Sequence, residues 1–251
     1  IILIALSLGI GLVSAVENAM AETNEIYYKA IKIDNDDRMF HHAKRTDAGI
    51  ALVYTDVKAL DTVTFPEISG EFMYIEKVRE DYTMHTRTVT ETDSEGNTIT
   101  RTEVYYTWDY VGTESLVNKE VEIFGEIYSS TKFNFGKLMK ELRLTKNNFI
   151  GDGRLRLKSD GYVYRGSDTR YYYNYVPKEV KSNFLIDFSG NDIKPVDSKS
   201  IILRYGTIDE RLEEIENSVT VAKIVISFIL IVATLFIVFK FVSGYHHWLE
   251  R

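Results

Sequence analysis

Few side chains in this sequence have the types and spacing that chemistry requires. Of five histidines, only His41, His42 and His85 lie outside the apolar C-terminal region. The pair His41-His42 follows Asp34, Asp36 and Asp37, a donor set that suits a divalent cation. Adjacent side chains on a helix or strand point apart, however, and the pair reads as part of a solvated loop. A tethered hydrolase would have to use His85 or a carboxylate pair. No G-x-S-x-G nucleophile elbow accompanies His85, which reads as a surface strand residue. Asp34-Asn35-Asp36 opens like an EF-hand loop but lacks the glycine and glutamate that such a loop needs further on. Gly151-Asp152-Gly153 and Ser159-Asp160-Gly161 complete no phosphate-binding pattern and read as turns. With no cysteine in the chain, disulfides, thiolate metal sites and cysteine nucleophiles are excluded. No catalytic, metal-ligating or cofactor-binding residue is assigned, and the chain reads as non-enzymatic.

Two aromatic clusters, Tyr105-Tyr106-Thr107-Trp108 and Tyr171-Tyr172-Tyr173-Asn174-Tyr175, suit either a carbohydrate platform or a half-buried strand; their alternation favours the strand. The richest candidate for partner binding is a long hairpin. Val78 to Thr92 and Thr98 to Val111 flank Asp93-Ser94-Glu95-Gly96-Asn97, a turn signal between β-prone arms. A two-residue Glu95-Gly96 loop would set Thr83 opposite Trp108, His85 opposite Tyr106 and Thr88 opposite Glu103. Tyr82, Met84, Tyr106, Trp108 and Tyr110 would then pack its base on a core. The tip is polar on both faces and should project, with Thr88, Thr90, Thr92, Glu95, Gly96, Thr98, Thr100 and Arg101 as the expected partner-binding residues.

Elsewhere, Glu22 to Ile33 has helical spacing and Asp34 to Asp37 is its stop. Strands are expected from Gly49 onwards, at Phe72, Glu120 to Tyr128, Thr169 to Val176, Ser182 to Phe188 and Ser200 to Tyr205. Lys137 to Leu144 is expected as a short helix. Thr207 and Glu210 match a capping box, opening a helix with Ile208, Leu212, Ile215 and Val219 on one stripe. That helix should run on into an apolar segment, residues 219–243, that is long enough to cross a bilayer. Lys223 and Lys240 can snorkel to opposite interfaces, and Trp248 with His246 and His247 suits an interfacial belt.

Residues 1–16 are also apolar and are expected to form a first membrane helix, shortened at its start. Ala19-Met20-Ala21 would equally suit cleavage of a secretory signal, and the retained anchor is the preferred reading. Acidic residues precede the second apolar segment, while Lys240 and Arg251 follow it, which places residues 17–218 outside the cytoplasm. The expected order is therefore a first span (1–16), a juxtamembrane helix and linker (17–48) and a β-rich extracytoplasmic domain (49–206). An amphipathic helix (207–218), a second span (219–243) and a short cytoplasmic tail (244–251) complete it. The net charge of −7 opposes nucleic-acid binding. The absence of cysteine and of Asn-x-Ser/Thr sequons agrees with a bacterial, Gram-positive-like or phage origin.

Residues 56–128, from Asp56-Val57-Lys58-Ala59-Leu60 through the Thr-rich hairpin to Tyr105-Tyr106-Thr107-Trp108-Asp109, resemble the ectodomain of LUMA-type transmembrane proteins and related uncharacterised bacterial membrane proteins. The resemblance implies a membrane-organising or partner-binding protein and assigns no functional residue. This chain departs from the family in having one apolar segment after that region rather than several. The fold class expected is α+β, two transmembrane helices flanking one β-rich domain with a protruding hairpin. Its expected partners are the lipid bilayer and either further copies or other membrane subunits. A tethered module binding wall polymer, an extracellular ligand or a phage component is the alternative.

Overall fold

The computed structural model describes residues 14–15, 18–22, 24–196 and 198–249. The expected first span thus lies almost wholly outside the described residues. In chain order the elements begin with β1 (Ile31–Asp34), α1 (Asp37–Arg45), β2 (Gly49–Ala59), β3 (Phe72–Thr92) and β4 (Thr98–Val117). Short strands follow: β5 (Glu120–Ile123), β6 (Glu126–Ser129), β7 (Phe133–Asn134), β8 (Lys140–Glu141), β9 (Arg156–Leu157) and β10 (Val163–Arg165). The chain closes with β11 (Thr169–Pro177), β12 (Glu179–Phe188), β13 (Ile193–Pro195), β14 (Ile201–Ile202) and α2 (Ile208–Leu249). The protein is mostly β-sheet, with few helices and one long apolar helix at its C-terminal end. Contacts divide it into two units, one from Ile1–Tyr54, Asn183–Asp197 and Gly206–Arg251, the other from Thr55–Ser182 and Ser198–Tyr205.

In the first unit the expected helix over Glu22 to Ile33 ends early, because residues 24–29 are helical and Ile31–Asp34 is a strand parallel to Ala51–Tyr54. Ile33 is fully buried there, and two β-branched residues on one face favour the pleat over another helical turn. The acidic run does not end a helix but starts one. Asp36 is the N-cap of α1, its Oδ1 accepting from Met39 N–H at 3.0 Å. His41 and His42 therefore lie on this helix rather than in a loop, with His41 Nε2 3.1 Å from Asp37 Oδ1. Phe40 is buried and meets Phe188 edge-on at 5.3 Å.

The capping box forms as expected, with Thr207 N–H donating to Glu210 Oε2 at 2.7 Å and Glu210 N–H to Thr207 Oγ1 at 3.2 Å. Ile208 and Ile215 are buried, and Leu212 packs on a cluster of Ala30, Leu52 and Ile208. The helix continues without a break. Among the described residues, Ile208–Lys240 alone is long and apolar enough to cross a membrane, and its most apolar stretch is unburied. Lys223 and Lys240 are separated by roughly 26 Å along a 1.5 Å rise, close to a hydrocarbon thickness of about 30 Å. The side chain of Trp248 lies outside the described part.

The second unit is built on a sheet of order β4-β3-β11-β10-β9, with β8 pairing β11. Lys137 to Leu144 is not the expected helix. Lys140–Glu141 pairs with Asn174 and Tyr175, and Leu142 N–H donates to Tyr173 O at 2.7 Å. Sheet pairing outweighs local helix propensity here. Glu120 to Tyr128 folds back on itself through Phe124 and Gly125, both at positive φ (50° and 71°).

Ile75, Val163, Tyr171 and Tyr173 face a core shared with Phe65, Ile68, Phe72 and Leu144. Within it Lys77 is paired to the buried Glu67, whose Oε1 also accepts from Tyr173 Oη at 2.9 Å. Lys77 Nζ lies 4.6 Å from the centroid of the Tyr171 ring. Burial alone would raise the Glu67 pKa, but hydrogen bonds from Lys77 and Tyr173 outweigh it and hold the carboxyl below its ordinary 4.5. The same burial, with the carboxylate alongside, pushes the Tyr173 phenol up.

A carboxyl whose pKa is depressed on folding adds stability above its unfolded pKa and loses it as pH falls through the folded value. Lys77→Met should therefore lower stability at neutral pH by about 3 kcal/mol, the cost of stranding a buried partner. Thermal unfolding should show the gap from wild type narrowing as pH falls below about 4.5, the ordinary carboxyl range.

Candidate interaction surface

Beyond Asp81, strand β3 loses its β11 partner, whose pairing ends at Thr169. Tyr82 to Thr92 and Thr98 to Tyr110 continue as a two-stranded ribbon about 36 Å long at 3.3 Å per residue. The expected hairpin is thus present, but its register is not the expected one. Thr92 faces Thr98, Thr88 faces Thr102, His85 faces Tyr105, Thr83 faces Thr107 and Tyr82 faces Trp108. The loop takes five residues rather than two, because Asp93 organises it. Asp93 Oδ1 accepts from Glu95 N–H at 3.0 Å and Asn97 N–H at 2.8 Å, while Asp93 N–H donates to Asn97 O. Gly96 supplies the positive φ of 86° that the turn requires. A slip of one residue changes which side chains share a face.

One face carries Tyr82, Met84, Trp108 and Tyr106 near the base, then Val104 and the threonines. Of the expected partner-binding residues, Thr88, Thr90, Thr92, Thr98 and Thr100 lie together on this face, with Thr90 opposite Thr100. Glu95 and Gly96 are in the turn, and Arg101 is on the opposite face. The base aromatics do not pack on a core as expected. Met84, Tyr106 and Tyr110 are more than half exposed. They form a row instead: Tyr106 stacks on Tyr82 at 5.3 Å and Tyr82 meets Trp108 at 5.0 Å. The Arg170 guanidinium then lies between Trp108 (4.5 Å) and Tyr162 (4.0 Å), its Nε 2.6 Å from Glu80 Oε2. Sequence reasoning missed Arg170, Glu80 and Tyr162. The visible signal was a lone arginine leading into an aromatic strand.

The second cluster behaves as the alternating strand expected, with Tyr171 and Tyr173 buried beneath the sheet and Tyr172 above. Trp108 is in contact with both the Tyr82 ring and the Arg170 guanidinium, while Tyr106 at the outer end of the row is exposed.

On the other face, Arg101 Nη2 pairs with Glu91 (3.0 Å) and Glu103 (2.9 Å), and Arg87 Nε reaches Glu103 Oε2 at 2.9 Å. Arg87 and Arg101 hold the Glu103 carboxyl below its ordinary pKa. These pairs are solvent-exposed and order the ribbon more than they stabilise it. Nearer the base, His85 Nε2 is 2.6 Å from Asp109 Oδ2 and 3.0 Å from Thr83 Oγ1, and Thr83 itself bonds to Asp109. Hydroxyl, imidazole and carboxylate are thus neighbours, as in a nucleophilic triad. A triad, however, needs hydroxyl and carboxylate on opposite ring nitrogens. Here both meet Nε2, so the ring cannot pass a proton between them, and the cluster is a cross-strand tie. Hydrogen bonding from Thr107, with that from His85, lowers the Asp109 pKa.

The described residues contain no group of three His, Asp or Glu side chains that could hold a metal ion. An open polar cleft of about 640 Å³ lies between Glu141–Lys146 and Leu157–Gly161, with no histidine lining it.

Arg170→Met should leave Glu80 unpaired and loosen Trp108, costing about 2 kcal/mol for a partly buried cation held by rings and a carboxylate. A red-shifted Trp108 emission before global unfolding is the expected readout. No family model, curated protein or solved structure matches the chain.

Proposed function

We propose that the chain is a non-enzymatic, membrane-anchored subunit that assembles a cell-envelope complex through its β3–β4 ribbon. The observation that carries this reading is the ribbon itself. It is a long two-stranded arm, exposed on both faces, whose β4 strand ends the sheet with no further strand beside it among the described residues. An isolated ribbon of this length is marginal in water, and an open edge is a template for another strand.

The uninterrupted helix from Thr207 supports anchoring, since its outer surface from Val221 to Phe239 is apolar and exposed. In this reading the helix crosses the cell membrane, the β-rich part lies outside the cytoplasm, and residues 1–16 supply a second crossing. The bearer is a bacterial or phage envelope. At His85 the hydroxyl and the carboxylate both meet Nε2, and Glu91 and Glu103 are each tied to Arg101, which favours assembly over hydrolysis. The contacts of Trp108 with the Tyr82 ring and the Arg170 guanidinium favour it over glycan binding at that ring.

The test is removal of the arm. Thr83 and Thr107 should be joined through Asn-Gly in place of residues 84–106, a loop suited to a two-residue hairpin. In mild detergent the excised chain should keep a cooperative thermal unfolding transition and lose its partners, running at the mass of one chain. An excised chain that remains in the complex would overturn the proposal.

A further inference from the structure

The open edge has a defined hydrogen-bonding pattern. Tyr82 N–H donates to Asp168 O at 2.7 Å, away from β4, whereas Asp93 N–H donates across the hairpin to Asn97 O at 3.0 Å. Hydrogen-bonded and non-hydrogen-bonded pairs alternate along an antiparallel ladder. Both contacts place the even-numbered residues of β4, from Thr98 to Tyr110, in non-hydrogen-bonded positions towards β3. Their N–H and C=O groups point to the open side. This regular run ends at a bulge opposite Arg79/Glu80, where Val111 is the extra residue. Within it Val104 and Tyr106 are 57% and 52% exposed with Tyr105 between them, and Ile99 and Tyr110 are exposed towards its two ends.

We propose that this edge pairs with the same edge of a second copy of the chain, antiparallel, with Tyr105 opposite its own counterpart. This rests on the assembly reading and specifies its partner. A two-fold contact sets one residue against itself and all others in reciprocal pairs. Charge then selects among the possible centres. Centring on Arg101, Glu103 or Asp109 opposes like charges, and centring on Tyr106 sets Glu103 against the partner's Asp109. Two centres give Arg101 an acid. Thr102 at the centre pairs Arg101 with the partner's Glu103 but spans only Thr98 to Tyr106. Tyr105 at the centre pairs Arg101 with the partner's Asp109 and spans Thr100 to Tyr110, stopping at the bulge.

The Tyr105 centre also sets Val104 against the partner's Tyr106, a contact made twice by symmetry. Glu103 meets the partner's Thr107, so no like charges oppose. Within its own chain Arg101 uses Nη2 for Glu91 and Glu103; the side chain is exposed, and a guanidinium has five N–H donors, enough for a further carboxylate.

The absence of native cysteine makes the register directly readable by disulfide trapping. Tyr105 would occupy a non-hydrogen-bonded pair, where Cβ atoms approach to about 4.5–5.5 Å and a disulfide can close after a small shift. Full-length Tyr105→Cys, oxidised in native membranes, should give a species of twice the chain mass on a non-reducing gel. Glu103→Cys and Thr107→Cys should each stay monomeric alone and cross-link when the two chains are mixed. A Tyr105→Cys chain that does not cross-link overturns the proposal. So does efficient trapping of an Arg101→Cys and Glu103→Cys mixture in its place, which moves the centre to Thr102. If arm excision disperses the complex while no cysteine pair traps, the ribbon serves another partner; self-pairing is then wrong and the assembly reading stands.

Discussion

Every backbone N–H and C=O needs a partner, and this chain satisfies that requirement in three different ways. In the long C-terminal helix each peptide bonds to its own helix, which is what allows an apolar exterior to meet hydrocarbon. In the sheet of the second unit the peptides bond to neighbouring strands. Along the outer side of the ribbon they bond to neither, so water or an added strand must serve them. β4 is an edge along its whole length, and where β11 stops, at Thr169, the far side of β3 becomes open as well.

The second unit anchors this ribbon by chemistry beneath and above one sheet. Below it, the ammonium of Lys77 lies against Glu67 and the ring of Tyr171, a charged pair tolerable in a core only because each member has several partners. Above it, Arg170 bridges β11 to the ribbon base through Glu80 and Trp108. A strand pair that would be marginal alone thereby inherits rigidity from a sheet it leaves after Asp81. Stiffness should be greatest at Tyr82 and Trp108 and decline towards Asp93.

Sequence patterns revealed elements better than they revealed register. The capping box at Thr207, the helix running on from it and the Thr-rich hairpin were all legible, because each depends on interactions between residues close in the chain. The register was not. Asp93 widened the loop by accepting two backbone hydrogen bonds, and Glu95-Gly96 alone gave no sign of it. The strand at Lys140–Glu141 was hidden for a different reason, since its partners Asn174 and Tyr175 are far away in sequence and its own residues favour a helix. Asp36 was read as a helix stop because acidic runs both end and begin helices, and only the burial of Phe40 decides which. At the candidate surface the Thr-rich arms could be foreseen, but the threonine ladder depends on the observed register, and the Trp108–Arg170–Tyr162 stack brings together residues distant in sequence.

The helix that begins at Thr207 has no glycine or proline before Gly244. Its first turns are seated among Ala30, Leu52 and Tyr27, and Arg211 lies over the Tyr27 ring at 5.0 Å. Placed in a bilayer, such a rod answers a change in thickness by tilting. With no hinge to absorb the tilt, the torque would arrive at Ile208 and Ile215, and the contact between Arg211 and Tyr27 would register lipid composition first.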